Sequence, residues 1–156
     1  MYEHITKDYI RSHTFQGDGL HFPQTGGGRE NYRLGPNAVL PAGEDENRRL
    51  LRMRLTTLVA ERFPNRGSME ASCDVSYELV KKYINGSRRV TRDSLAKLCV
   101  GMRLSVEEAQ GLFRLEGHSL EPEINLLDAI VVDALQCGDN IGVFYDECVK
   151  YGLGPF

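Results

Sequence analysis

The sequence predicts an all-α fold, a compact bundle of about six to seven short helices preceded by a glycine-rich irregular arm. Three observations carry that expectation. From residue 44 onward apolar residues recur at helical spacing, capping residues open the periodic stretches, and glycines close them. Residues 1–43 lack this pattern and hold 7 of the 16 glycines and 3 of the 6 prolines. Finally, the 156 residues are 41% apolar and 26% charged, enough for a packed core within one ordinary domain.

The elements follow in chain order. In residues 1–43, Tyr2, Ile5, Tyr9 and Ile10 have helical spacing, and Gly17-Asp18-Gly19 offers a turn between Phe15 and Leu20. Both signals are short, and ordering so glycine-rich a segment costs much backbone entropy. An extended arm, held by the domain or by a partner, is therefore expected. Asp45 is placed to cap a helix over about 46–62 with the stripe Leu51, Leu55, Leu58, Val59 and Phe63, and Pro64 follows its end. Thr91 caps a helix carrying Leu95, Leu98, Cys99 and Met102. Ser105 with Glu108 forms a capping box for a helix burying Ala109, Leu112 and Phe113 and stopping at Gly117. Pro122 is expected to open a helix containing Leu126, Leu127, Ile130, Val131 and Leu135 that ends at Gly138. A last helix runs through Val143, Phe144 and Val149 to Gly152.

The most informative stretch runs from Asp74 to Arg89. Ser76 is a good N-cap, and Asn85-Gly86 supplies a left-handed stop. At 100° per residue, Tyr77, Glu78, Lys81, Lys82 and Asn85 fall within an arc of about 140°. Val75, Leu79, Val80, Tyr83 and Ile84 take the opposite face. Alone, this describes an amphipathic surface helix with a solvated side. Gly86-Ser87-Arg88-Arg89 and Thr91-Arg-Asp-Ser-Leu follow at once, however. A short helix with a polar face and flanking arginines suits the DNA major groove.

The run Val75-Ser76 through Ile84-Asn85-Gly86-Ser-Arg-Arg, then Ser94-Leu95-Ala-Lys-Leu98 and Leu104-Ser105-Val-Glu-Glu108, resembles the Cro/repressor-type (XRE-like) helix-turn-helix family. The resemblance covers roughly residues 50–118. It implies a helix-turn-helix within the bundle, with a recognition helix over 76–85 capped by Ser76. It implies that Tyr77, Glu78 and Lys82 face base edges while Asn85, Ser87 and Arg88 hold the DNA backbone. Arg66, Ser68, Lys81 and Arg89 complete the expected DNA-binding set. Three positions depart from the family pattern: Arg66 where Gln is usual, Glu70 where a small Ala sits at the helix crossing, and Asp74 at the turn glycine. A carboxylate buried unpaired at such a crossing costs several kcal/mol. A looser crossing, or a short helix over Ser68–Cys73, is therefore expected.

Formal net charge is −3, but the charge is unevenly spread. Residues 1–47 carry 4 Lys/Arg against 7 Asp/Glu, residues 48–118 carry 14 against 8, and residues 119–156 carry 1 against 7. With those windows at −3, +6 and −6, the chain is expected to comprise an arm (1–43), a helix-turn-helix domain (44–118) that is basic from Arg48 onward, and an acidic C-terminal helical extension (119–156). The extension is similar to one found in some XRE-like proteins of Gram-positive bacteria. Its charge repels phosphate, which suits packing, homodimerisation or a protein partner; Leu153, Pro155 and Phe156 offer a docking end. Arg48, Arg49, Arg52 and Arg54 read foremost as a solvated helix face with snorkelling stems, and otherwise as phosphate contacts.

Catalysis, cofactors and metals are not expected. His4, His13, His21 and His118 pair with no Cys, Ser or Asp at a recognisable spacing and read as solvated loop residues. Gly26-Gly27-Gly28-Arg29-Glu30 is no phosphate loop, since no Gly-Lys-Ser/Thr follows. Cys73, Cys99, Cys137 and Cys148 form no C-x-x-C pair and are expected as reduced thiols, with Cys99 and Cys137 as small buried hydrophobes. No secretory signal or membrane span is evident, so a cytoplasmic location is expected. The function expected is a sequence-specific double-stranded DNA-binding transcriptional regulator. The rival is a non-catalytic protein-interaction module on a drifted helix-turn-helix scaffold, favoured by Glu70, Asp74 and Glu78.

Overall fold

The computed structural model describes residues 5–13, 15 and 46–153. Among them stand eight helices and no strand: α1 (Lys7–Ser12), α2 (Glu46–Arg62), α3 (Arg66–Cys73), α4 (Tyr77–Ile84), α5 (Arg92–Gly101), α6 (Val106–Leu115), α7 (Leu126–Cys137) and α8 (Ile141–Lys150). The protein is all-α.

Short helices depend on their ends, and these ends are satisfied by side chains. Asn65, Ser76, Thr91, Asn125 and Asn140 each accept an N–H from the first turn of the helix that follows. Ser105 and Glu108 form the expected reciprocal box at 3.0 Å in both directions. The expected start at Pro122 is corrected. Asn125 Oδ1 takes the Asp128 N–H, so the helix begins at Leu126, four residues later, and Pro122 is buried in the preceding turn.

Helix α5 is the centre of the core. Leu95, Leu98 and Cys99 are completely buried, and the helix packs against α3, α6, α7 and α8. Helix α2 lays Leu51, Leu55 and Leu58 over α4 and α6. The closest approach joins α5 to α3. A Cβ on Gly101 would lie 2.5 Å from Cys73 Sγ, 2.6 Å from Cys73 Cα and 2.6 Å from Ser72 O. Only glycine lets the end of α5 meet that backbone.

Ion pairs stitch the acidic helix α7 to the rest. Asp128, almost wholly buried, accepts from Arg92 at 2.6 Å and from the Glu121 N–H at 2.8 Å. Burial pushes its carboxyl above the usual range, against the opposing pull of Arg92. Asp133 accepts from Lys7 Nζ at 2.5 Å, and Asp139 lies 3.3 Å from the same ammonium. Burial alone would lower the Lys7 pKa; the two carboxylates outweigh it and raise it.

That ammonium explains a second correction. Residues 5–13 are not an extended arm. Thr6 caps α1, Ile5 and Ile10 are buried, and the helix packs on α7. Two isoleucines and one ion pair recover enough to order this segment. The Gly17-Asp18-Gly19 turn lies outside the described residues, as do Asp45, Pro155 and Phe156. Leu153 is buried against the core. Cys73, Cys99 and Cys148 are buried free thiols, whereas Cys137 is exposed because it faces outward at the end of α7. Burial pushes Cys73 and Cys148 up to about 12.

Gly101→Ala should lower stability by about 1–3 kcal/mol in urea unfolding, since the clash is with backbone and cannot rotate away. Lys7→Met should cost about 1 kcal/mol, the low end for stranding a buried carboxylate, because Lys7 is 39% exposed and partly screened. Its measurable signature is earlier thermal unfolding by circular dichroism.

Candidate nucleic-acid interface

Helices α3 and α4 are joined by Asp74-Val75-Ser76. Asp74 takes a left-handed conformation (φ 56°, ψ 40°) at the position where the turn needs one. Val75 then buries its side chain, and Ser76 Oγ accepts the Leu79 N–H at 3.1 Å to start α4. Helix α4 presses Val80 and Tyr83 into the core, with Tyr83 O–H donating to Ser94 Oγ on α5 at 2.9 Å.

The near end of α4 is held by acids. Glu70 is exposed rather than buried at a tight crossing, and its Oε2 accepts the Tyr77 N–H at 2.6 Å. The carboxylate thus avoids burial at the crossing altogether. Helix α3 begins at Arg66, two residues earlier than the short-helix expectation. The carboxylate satisfies a first-turn donor and faces the positive end of the helix dipole. On the opposite side, Tyr145 of α8 donates its O–H to Asp74 Oδ2, so the turn is also tied to the C-terminal helix. Desolvation and then this bond raise the Tyr145 pKa above its ordinary value.

The outward face carries Glu78, Lys81, Lys82, Asn85, Ser87 and Arg88, all exposed. Tyr77 is half-buried at its edge, with the Arg66 guanidinium 4.6 Å over its ring and Lys81 Nζ at 6.0 Å. Asn85 Oδ1 accepts the Ser87 N–H at 2.9 Å, and the Arg88 N–H returns to Lys82 O at 3.3 Å. Within the loop, then, one bond is made by a side chain and one by the backbone. Two expected members stand apart: Ser68 Oγ is buried without a hydrogen-bond partner, and Arg89 Nε pairs at 2.9 Å with Glu116, whose side chain is only 2% exposed. Ser76 serves as the cap.

Of the arginine cluster on α2, Arg49 and Arg54 are exposed as expected, whereas Arg48 and Arg52 are not simply solvated. Arg52 Nη1 donates to Ile84 O at 3.2 Å and Arg48 Nη2 to Gly86 O at 3.4 Å, at the far end of α4. Together with Glu70 and Tyr145, Arg48 and Arg52 support α4 through contacts that sequence reasoning did not find. Two of the four histidines lie among the described residues, and neither is a freely solvated loop side chain. His13 stacks on Tyr9 and meets Glu123 O at 2.9 Å. Burial, then Arg92 and Arg89, hold His118 down at about 4, so it is neutral at physiological pH. Asp133, Cys137 and Asp139 bring potential metal-ligand atoms within 4.8 Å of one another, but Lys7 supplies the cation there. Among the described residues no helix is long and apolar enough to cross a membrane.

Asp74→Gly and Asp74→Ala both lose the Tyr145 bond and differ in backbone preference. The alanine variant should be the less stable by about 1 kcal/mol in denaturant unfolding, since only glycine adopts φ 56° without penalty.

No protein-family model, curated protein or solved structure matches the chain.

Proposed function

We propose that the chain is a cytoplasmic, non-catalytic, sequence-specific double-stranded DNA-binding transcriptional regulator of the XRE-like helix-turn-helix type, acting as a homodimer. The observation that carries this reading is the open face of α4. Lys81, Lys82 and Arg88 stand exposed on one short helix and its following loop, while the opposite face of that helix is locked into the core. A helix of this size fits the major groove, with Lys82 and Tyr77 at base edges and Arg88 at phosphate.

Two acids that favour the rival reading are engaged within the protein: Glu70 caps Tyr77 and Asp74 accepts from Tyr145. Glu78 stays on the face and has a role in this reading, as an acceptor for the cytosine amino group. The rival, a protein-interaction module, draws on α8, where Val143 and Val149 are 38% and 66% exposed. Both surfaces can coexist, with DNA at α4 and a partner at α8.

The test uses Arg88 alone, because removing Arg89 strips a buried carboxylate of its ion pair. Arg88→Ala should weaken binding to every duplex and reduce the slope of log affinity against log salt by about 0.9 in fluorescence-anisotropy titrations. An unchanged slope contradicts the assignment.

A further inference from the structure

The far end of α4 is shaped from α2. A helix C-terminus presents carbonyls with no partner of their own and the negative end of the dipole. Here Arg52 Nη1 takes Ile84 O and Arg48 Nη2 takes Gly86 O. The Arg52 side chain also lies flat against Gly86, where a Cβ would stand 3.2 Å from Nε, 3.3 Å from Cδ and 3.5 Å from Cζ. Gly86 is itself left-handed, with φ 83°. The left-handed turn calls for glycine, and a Cβ there would also have to push the Arg52 side chain aside by a few tenths of an ångström.

The loop so held carries Ser87 and Arg88, both exposed, whereas Arg48 and Arg52 are only half-exposed beneath it. We infer that Arg52, assisted by Arg48, is a positioning residue for DNA binding: it fixes the loop 84–88 so that Ser87 and Arg88 meet the phosphate backbone, and contacts no phosphate itself. This rests on the DNA reading above. The role demands a guanidinium, because a planar fork can lie on Gly86 and donate to Ile84 O at once, which an ammonium cannot.

The experiment titrates the full chain against a fluorescein-labelled random-sequence duplex over a series of salt concentrations, with thermal unfolding measured on each variant. Arg88→Ala is the control that tests the DNA reading separately. Arg52→Gln should weaken binding about tenfold and flatten the salt slope as Arg88→Ala does, because the released loop no longer brings Arg88 to phosphate. Arg52→Lys restores the charge and should remain weak. Gly86→Ala both strains the left-handed turn and displaces the Arg52 side chain, and should reproduce the loss; Arg52→Lys keeps the inference testable if Arg52→Gln does not fold. A second reduction of about 0.9 when Arg52→Gln is added to Arg88→Ala would make Arg52 a phosphate contact in its own right and overturn the inference. So would wild-type affinity in Arg52→Lys or Gly86→Ala. If Arg88→Ala leaves the slope unchanged, the DNA reading falls and the inference falls with it.

Discussion

The contact between Gly101 and the Cys73 backbone sets where everything else on this protein's candidate face lies. Helix α5 is the core element, and its last residue comes so near the end of α3 that no side chain fits between them. With that end fixed, the chain has three residues in which to reverse before α4 begins. Asp74 must turn left-handed, Val75 must fall inward, and Ser76 must cap. The outward polar arc of α4 is a consequence of that sequence of constraints. Close packing transmits them without slack.

Charge is organised by the same architecture. The acidic stretch after residue 118 carries −6, a charge that repels phosphate and suits packing, dimerisation or a protein partner. Its most buried carboxylates take cations from elsewhere: Asp128 holds Arg92 of α5, and Asp133 holds Lys7 of α1. Arg89 is likewise committed to Glu116. The cations left on the open face are those of α4 and its loop. The regional charge was therefore a fair guide to where positive potential lies and a poor guide to which arginines express it.

Legibility in the sequence followed distance along the chain. Caps were readable because a cap joins a side chain to an amide three residues away, as Ser76, Thr91 and Ser105 do. The two faces of α4 were readable because a helix repeats within a few residues. The supports of that helix were not. Glu70 meets the Tyr77 amide across seven residues, Arg52 meets Ile84 across 32, and Tyr145 meets Asp74 across 71. Glu70 was noticed only as a misfit at a crossing, and the α2 arginines only as a charge cluster. Each became meaningful once packing brought its partner within reach. Residues 5–13 were misjudged for the same reason, since the ammonium's partners lie on α7 and just beyond its end, 126 and 132 residues away.

The central claim is that the outer face of α4 meets duplex DNA. Amide chemical-shift mapping of the isotope-labelled full chain, titrated with a random-sequence duplex, tests it most directly. The account predicts shifts concentrated over residues 76–88, extending to Arg48 and Arg52, and collapsing as salt is raised. Shifts confined to α7 and α8 with α4 unaffected, or none at all at low salt, would contradict it.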